Sequence, residues 1–199
     1  MLHNNPIALL ALTAQELTLC KDLNSVMFVV RSVARKLTQA DGVTFVLRDN
    51  DMCYYADEDT ISPLWKGSRF KVEFCISGWA MINKKYTCIE DIYQDERIPI
   101  DLYSTTYIKS LLMMPIRKID PIGAIGCYWA KSYRPGVDEI NYIQSLAEIT
   151  ALALDNINLH AYMGEKLSKK NVKNYDNPGI LFSASQFTKR LFDIDQSII

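Results

Sequence analysis

The sequence predicts an α/β fold, an α+β sandwich with a central antiparallel sheet, from three features of its hydrophobic pattern. Apolar residues recur at helical spacing over 23–37 and then give way to two β-prone runs within 43–56 that form a hairpin. Two strongly apolar runs, 109–117 and 122–130, have the composition of central strands. A periodic segment from 137 to about 171 predicts a long C-terminal helix.

The composition indicates one globular domain with helical extensions. The chain has 199 residues, 49% of them hydrophobic, and its 22 basic and 23 acidic side chains give a formal charge of −1. Binders of nucleic acid or of membrane surfaces need a basic excess that this chain lacks. No apolar run approaches the roughly 18–20 residues of a membrane span, and no basic segment precedes the short apolar stretch near the N-terminus. We therefore expect a cytoplasmic protein that binds neither nucleic acid nor membranes.

The sequence has few cysteine and histidine residues that could bind a metal or catalyse hydrolysis. The 5 cysteines are scattered without a Cys-x-x-Cys pair, which predicts reduced and mostly buried thiols. The 2 histidines, His3 and His160, lie outside the predicted sheet, so neither a His-based metal site nor a Cys–His catalytic pair is expected. The acidic residues within 49–59 and 90–96 lack the alternation of a calcium loop. We predict no metal and no catalytic residue.

Capping residues and chain breaks define the first elements. Asn5 is predicted to cap a helix that has Pro6 at its first position, and a second helix starts at Asp22. The segment 40–42 breaks that helix, and a turn at 49–51 joins the two strands of the hairpin.

The segment 57–99 changes character, because proline and glycine divide it into short pieces. We predict short strands, long loops and one short helix near 76–83. A strand over 86–90 then enters an irregular stretch. In the second central strand, Gly123 and Gly126 mark positions where another backbone or a ligand comes close.

The C-terminal helix is apolar on nearly every side between 146 and 154, so two of its faces need cover. One face is expected to pack on the sheet, whereas the other repeats at seven-residue steps and suits a helix from a second subunit. The residues predicted for this dimer seam are Ile140, Ile143, Ala147, Leu154 and Ile157. The alternative is a helix that is buried within one domain.

The sequence divides into four segments. An N-terminal helix occupies 1–20, the main domain 21–160, a helical extension 161–175, and a linker with a short tail 176–199. Within the tail, Ser185 is predicted to cap a short helix, which either docks on a partner or folds back onto the domain.

The order of helix, hairpin, loop-rich insert, two central strands and long terminal helix resembles a GAF domain, the α/β sensory fold. The resemblance covers about residues 20–160 and is carried by short blocks, which occur in the same order in GAF domains upstream of the kinase in bacterial sensor histidine kinases. These blocks are SPLWKG at 62–67, ISGWAM at 76–81, EDI at 90–92 with DERIP at 95–99, Tyr103, KSL at 109–111 with MPIR at 114–117, and PIGAIG at 121–126 with YWA at 128–130.

The resemblance implies a sheet of five to six strands, flanking helices, and a small-molecule site between the sheet and the insert. Aromatic rings with a few convergent polar groups suit a flat ligand. The residues predicted to line this site are Trp65, Phe70, Cys75, Ser77, Trp79, Asp91, Tyr103, Thr106, Ser110 and Tyr128. The alternative is that the aromatic rings fill the core. The sequence identifies neither the ligand nor a cofactor.

Two ligand types known from GAF domains match this sequence poorly. Covalent bilin attachment at Cys127 is not favoured, because Tyr128 rather than histidine follows it. The cyclic-nucleotide pattern is half present, since Asn83-Lys84 and Asp95-Glu96 occur but Asp91 stands where phenylalanine is expected.

Two further GAF chemistries depend on cysteine in this chain. Haem ligation would use Cys75 or a tyrosine in place of histidine. A free methionine sulfoxide reductase needs a thiolate and a resolving cysteine. Cys75 and Cys88 are candidates for that pair, although they lie outside that enzyme's Gly-rich cysteine context.

The chain after residue 160 supplies neither a phosphoacceptor histidine in a kinase context nor ATP-binding boxes. We therefore predict a non-catalytic sensory domain that binds a small molecule or a partner. Its state would pass through dimeric terminal helices to a kinase or another signalling output domain. The alternatives are a purely structural dimerisation domain without a ligand and a GAF-type methionine sulfoxide reductase.

Overall fold

The computed structural model describes the backbone of residues 5–169 and the side chains through residue 163. Its elements are α1 (Pro6–Leu19), α2 (Leu23–Thr38), β1 (Gly42–Asp49), β2 (Met52–Thr60), β3 (Arg69–Lys71), α3 (Ile76–Asn83), β4 (Thr87–Ile89), α4 (Ile100–Tyr103), β5 (Ser110–Ile116), β6 (Gly123–Trp129) and α5 (Val137–Lys169). The strands form one six-stranded sheet in the order β3-β2-β1-β6-β5-β4, and all pairings are antiparallel. The predicted α/β fold, with its antiparallel sheet and long C-terminal helix, is confirmed.

The first two helices begin where predicted, because side-chain oxygens cap them. The Asn5 side chain accepts hydrogen bonds from two backbone N–H groups in the first turn of α1, at 3.0 and 3.3 Å. Pro6 follows at the first helical position, where a missing N–H costs nothing. Asp22 caps α2 in the same way, at 2.8 Å. α2 ends at Gln39, whose left-handed conformation (φ 50°) turns the chain towards β1.

Strand β2 runs to Thr60, past the predicted end of the hairpin strand at 56. Three of the four added residues are acidic, so the hydrophobic pattern of the sequence did not reveal this part of the strand. A bulge opposite Phe45 and Val46 shifts the register, so that the end of β2 still pairs with β1. Arg31 and Arg35 of α2 form ion pairs with the added aspartates Asp57 and Asp59.

The sheet separates two hydrophobic cores. Helices α1, α2 and α5 cover one face, whereas α3, α4 and the loops between 61 and 108 cover the other. Alternation along β5 shows the division, because Leu112 and Met114 face the helices while Leu111 and Met113 face the loop-rich side. We call these the helical core and the loop-side core.

The predicted dimer seam on α5 lies inside the helical core, which corrects the sequence analysis. The neighbouring elements α1, α2 and β5 of the same chain pack against α5. The seam residues are all covered to a large extent: Ile143, Ala147, Leu154 and Ile157 are at most 5% exposed, and Ile140 packs against them. The seven-residue repeat of apolar residues is therefore explained by packing within one chain. The outward face of α5 carries Leu152, which is 65% exposed.

Some of the remaining sequence predictions agree with the structure. The short helix Ile76–Asn83 is confirmed, and the irregular stretch that follows β4 contains a 3₁₀ turn, Ile92–Gln94, and the four-residue helix α4. The predicted linker and tail at 176–199, including the Ser185 cap, lie outside the described residues. Over the range 5–169, no helix combines the length and the apolar character needed to cross a membrane.

Candidate functional site

Five aromatic rings interlock in the loop-side core. Trp65 lies at the centre, with its ring centroid 4.8 Å from Tyr103, 5.4 Å from Tyr55 and 6.0 Å from Tyr128. Phe70 contacts Tyr55 at 5.4 Å. All of these contacts are edge-to-face, an arrangement worth about 0.5–1.5 kcal/mol per pair beyond burial. We call this set, Tyr55, Trp65, Phe70, Tyr103 and Tyr128, the aromatic cluster.

One glycine on β6, Gly126, makes room beside the aromatic cluster. A Cβ at Gly126 would lie 2.4 Å from the Tyr128 hydroxyl oxygen and 2.7 Å from Thr44 Oγ1. These two hydroxyls are hydrogen-bonded to each other at 2.9 Å. At Gly123 the neighbour is backbone, because a Cβ would lie 2.3 Å from the carbonyl oxygen of Val46. The predicted close approach of another backbone is confirmed at Gly123, whereas at Gly126 two side-chain hydroxyls come close instead.

A chain of polar groups crosses the floor of the aromatic cluster. The hydroxyl oxygens of Tyr55 and Ser77 lie 3.2 Å apart, and Ser77 Oγ donates a hydrogen bond to Cys75 Sγ at 3.3 Å. Cys75 directly precedes α3, so this polar chain is attached to the helix that covers the cluster.

The Tyr103 hydroxyl is buried without a hydrogen-bond partner among the described residues. The residue is 1% exposed, and burial raises the pKa of Tyr103 well above its usual range. The hydroxyl therefore stays protonated and has a proton to donate. A buried hydroxyl without a partner costs about 1–3 kcal/mol, so the folded domain carries an unmet donor in its aromatic cluster.

A pair of thiols adjoins the same floor. The side chains of Cys53 on β2 and Cys75 interact directly, which lowers the pKa of Cys75 to about 7 and raises that of Cys53. The Ser77 hydroxyl and the Gly78 backbone N–H lower the pKa of Cys75 further, against the effect of burial. Cys88, the predicted resolving partner, lies on β4 and packs with the helical core. The structure therefore brings Cys75 together with Cys53 and places Cys88 on the other face of the sheet.

The loop that carries Trp65, residues 61–67, is held by Glu58 at the end of β2. Its two carboxylate oxygens accept hydrogen bonds from the backbone N–H groups of Leu64, Trp65 and Lys66, each at 3.0 Å. Charge-assisted bonds of this kind are stronger than neutral ones. The Glu58 carboxylate therefore helps to hold Trp65 in the aromatic cluster.

A second acidic residue joins this loop to the helical layer. Asp57 is buried and pairs with Lys66 of the loop, at 2.7 Å, and with Arg31 of α2, at 2.9 Å. The Arg31 guanidinium also donates to the carbonyl oxygen of Glu58 at 2.8 Å. Movement of the Trp65 loop would thus change contacts of α2 on the opposite side of the sheet.

Glu58→Gln is expected to loosen the Trp65 loop without unfolding the domain. An amide supplies one acceptor oxygen and no charge, so some of the loop N–H groups lose their partner, at about 1–3 kcal/mol. Hydrogen exchange should accelerate at the amides of 64–66. The matched control is Glu96→Gln at an exposed position, which should leave those amides protected. Unchanged protection in Glu58→Gln would contradict this role.

Most of the predicted site residues lie in or against the loop-side core. They are Trp65, Phe70, Cys75, Ser77, Trp79, Tyr103 and Tyr128. Asp91, Thr106 and Ser110 do not line the aromatic cluster, which corrects the sequence analysis. Asp91 caps the 3₁₀ turn after β4, Thr106 Oγ1 donates to the carbonyl of Tyr103, and Ser110 Oγ donates to the carbonyl of Lys131 from the helical side of β5. Short polar side chains bond readily to nearby backbone groups.

Trp79 packs at the edge of the loop-side core beneath an arginine. The Arg97 guanidinium lies 4.4 Å from the Trp79 ring centroid, and both carboxylate oxygens of Asp95 accept hydrogen bonds from it, at 2.8 and 2.5 Å. Asp95 is therefore the ion-pair partner of Arg97. Asn83 donates to the Trp79 carbonyl at 2.9 Å. Asn83 and Asp95, which belong to the partly matched cyclic-nucleotide pattern, therefore form hydrogen bonds with nearby residues of the chain.

Three residues of the floor were missed from the sequence: Thr44, Cys53 and Tyr55. All lie on the hairpin and not in the insert, where the resemblance directed attention. Their alternation was a usable signal, because Cys53 and Tyr55 are two positions apart on β2 and must share one face of the sheet. Across the described part of the chain, no group of His, Cys, Asp and Glu side chains is placed to hold a metal ion.

Comparison with known proteins shows where this architecture recurs. No curated protein sequence matches the chain. Among solved structures, the GAF domain of an Acinetobacter phosphoenolpyruvate-protein phosphotransferase is 13% identical, with a TM-score of 0.67 over 80% of this chain and 97% of that chain. Free methionine-R-sulfoxide reductase from Neisseria meningitidis, in complex with its substrate, is 14% identical, with a TM-score of 0.67 over 78% of this chain and 91% of that chain.

A bacteriophytochrome shows the same likeness. The bacteriophytochrome RpBphP3 from R. palustris is 13% identical, with a TM-score of 0.68 over 98% of this chain and 47% of that chain. At such identities the likeness shows the fold alone. The family model for the GAF domain matches residues 20–155, a span that contains all six strands, the loop-side core and most of the helical core. The chain therefore belongs to the GAF domain family.

Proposed function

We propose that this GAF domain is a non-catalytic sensory domain and that its aromatic cluster is the binding site for a small, flat molecule with a hydrogen-bond acceptor. The observation that carries this proposal is the Tyr103 hydroxyl, a buried donor without a partner among the described residues. Native proteins satisfy nearly all such groups. A ligand acceptor would remove the cost that the free domain bears.

The chemistry of the surrounding side chains defines the ligand further. Trp65 occupies the centre of the cluster, so an aromatic ligand would take its place when the loop 61–67 moves outward. Its ring would meet the edges and faces of Tyr55, Tyr103 and Tyr128, as Trp65 does now. Along the described residues no lysine or arginine is buried, so a neutral ring system is favoured over an anion.

The same loop offers a route from the site to the helices. Displacement of Trp65 would disturb the contacts of Glu58 and Lys66, and through Asp57 it would reach Arg31 on α2. A ligand shifts such an equilibrium only by its different affinity for the two loop positions. We propose that the shift reaches a kinase or another signalling output domain in the cytoplasm.

We also propose that the domain acts as a homodimer through outward-facing helix surfaces. Leu12 and Leu19 on α1 and Leu152 on α5 are 59%, 78% and 65% exposed. Large apolar side chains that are exposed to solvent favour association. These three residues replace the buried seam residues as the expected contact.

Tyr103→Phe tests the proposal, because it removes only the unpaired hydroxyl. We expect the ligand-free domain to gain about 1 kcal/mol in free energy of unfolding, measured with urea, since a buried cost disappears. The matched control is Tyr128→Phe, which removes a hydroxyl that is bonded to Thr44 and should lose about 1 kcal/mol. If both variants lose stability equally, the Tyr103 hydroxyl is satisfied in the free protein and the proposal loses its support.

One observation favours a second function, a purely structural dimerisation domain. The aromatic cluster is filled by its own side chains, and Trp65, Tyr103 and Tyr128 are all buried. A filled core needs no ligand. The two functions differ in whether the protein carries a bound molecule.

A further inference from the structure

A groove beside α5 lies outside the loop-side core and its aromatic cluster. Its walls are α5, the end of β5 and the chain that enters β4, and its volume is about 480 Å³. Sites for small molecules typically have volumes of about 300–1,000 Å³, so the groove has room for one small molecule. We call it the lysine groove, because Lys84, Lys85 and Lys118 line it.

The lysine groove exists because β4 covers only part of β5. β4 pairs with Leu111, Leu112 and Met113, whereas β5 continues to Ile116 and is paired there with β6 alone. Pro115 suits this uncovered stretch, since proline has no N–H group that needs a partner strand. Met114 and Pro115 line the groove and give it an apolar floor.

Two left-handed backbone positions bring the lysines to the groove. Lys84 ends α3 at φ 55°, and the backbone N–H groups of Lys84 and Lys85 donate to carbonyl oxygens in the last turn of that helix. At the end of β5, Arg117 adopts φ 70° and Lys118 follows it. The three lysines therefore line one groove from two separate segments of the chain.

The lysines of the groove carry charge that the described part of the protein does not neutralise. None of the three forms an ion pair among the described residues. One acidic side chain, Glu148 of α5, lines the same groove. Three lysines against one glutamate leave an excess of two positive charges.

We propose that the lysine groove binds a small organic phosphate, and that this site is independent of the ligand site proposed above. A phosphate monoester carries about 1.5–2 negative charges at neutral pH, which matches the excess in the groove. The Tyr86 ring lines the groove and is 46% exposed. It offers a contact surface for an aromatic or apolar group on the phosphate.

The two sites select for opposite ligand properties. The aromatic cluster offers rings and no charged side chain, whereas the lysine groove offers charge, one exposed ring and an apolar floor. A molecule that combines a ring with a phosphate dianion therefore favours the groove, because its charge would be desolvated without a partner in the cluster.

The test is a titration of the ¹⁵N-labelled full chain with phenyl phosphate, followed by NMR. We expect saturable shifts at the backbone amides of residues 84–86 and 118, with a dissociation constant in the millimolar range. Added salt should weaken binding, since it screens exposed charges. Phenol lacks the charge and inorganic phosphate lacks the ring, so both should bind more weakly than phenyl phosphate.

Charge variants of the groove should change the affinity in opposite directions. Lys85→Gln and Lys118→Gln each remove one positive charge and should weaken phenyl phosphate binding about three-fold. Glu148→Gln removes the negative charge and should tighten binding about two-fold. The matched control is Lys36→Gln, at an exposed lysine on α2, which should leave the dissociation constant unchanged.

Three outcomes would overturn the proposal. The first is the absence of saturable shifts at 84–86 and 118, or their appearance in the aromatic cluster instead. The second is equal affinity for phenyl phosphate and inorganic phosphate, which would indicate an adventitious ion only. The third is the same affinity in all four variants. Each variant replaces an exposed side chain, so the fold is retained, and failure here leaves the proposal for the aromatic cluster in place.

Discussion

Leu154→Asp is expected to unfold the domain rather than to separate two subunits. Leu154 is 0% exposed in the helical core, and an aspartate there would be an unpaired buried charge. Together with the lost apolar packing, such a change costs more than about 4 kcal/mol. Circular dichroism and urea titration should show a largely unfolded chain.

The matched control for this prediction lies two positions away on the same helix. Leu152 is 65% exposed, so Leu152→Asp should keep the fold and its free energy of unfolding within about 0.5 kcal/mol. Sedimentation of this variant should show a weakened dimer, because the charge would lie in the proposed contact. A folded, dimeric Leu154→Asp protein would contradict the packing of α5.

Trp65→Ala is expected to cost about 3–5 kcal/mol, since it removes the central ring of the aromatic cluster. The cavity that remains would be lined by Tyr55, Phe70, Tyr103 and Tyr128. Indole has the shape of the lost side chain and should restore part of the stability by binding the folded state. Thermal unfolding with and without indole measures both effects.

Two comparisons make the indole experiment specific. The natural chain should show no indole effect, because Trp65 fills the space. Trp79→Ala, at a half-buried ring on the edge of the core, should lose less stability and show no indole effect. If indole leaves Trp65→Ala unchanged, the tyrosine rings close over the gap and the cluster is a packed core rather than a replaceable site.

The fold was predictable because its signals are local. Asn5 and Asp22 cap the first two helices, and both central strands are continuous apolar runs, so their positions follow from sequence spacing alone. The orientation of α5 was not predictable. Its middle is apolar on nearly every side, and sequence periodicity cannot distinguish a neighbouring helix of the same chain from one of a second subunit. The contacts of α1 and α2 with α5 resolve that ambiguity.

The candidate site was predictable for its large aromatic residues and not for its polar ones. Large aromatic side chains such as Trp65, Tyr103 and Tyr128 are normally buried in a hydrophobic core. Short polar side chains such as those of Asp91 and Ser110 can instead form hydrogen bonds with many nearby backbone groups. The pairing of Cys75 with Cys53 depends on the β2–β3 register and on the 3₁₀ turn that follows. Neither feature has a sequence signature strong enough to be read in advance.

The most direct test of the sensory proposal is native mass spectrometry of the full chain, purified without denaturation from the cells that produce it, with an absorbance spectrum of the same sample. We predict a mass above that of the 22.7 kDa polypeptide or of its dimer, together with absorbance from an aromatic molecule. Chains that carry no added mass, even after incubation with a small-molecule extract of the same cells, would contradict the proposal and favour the structural dimerisation domain.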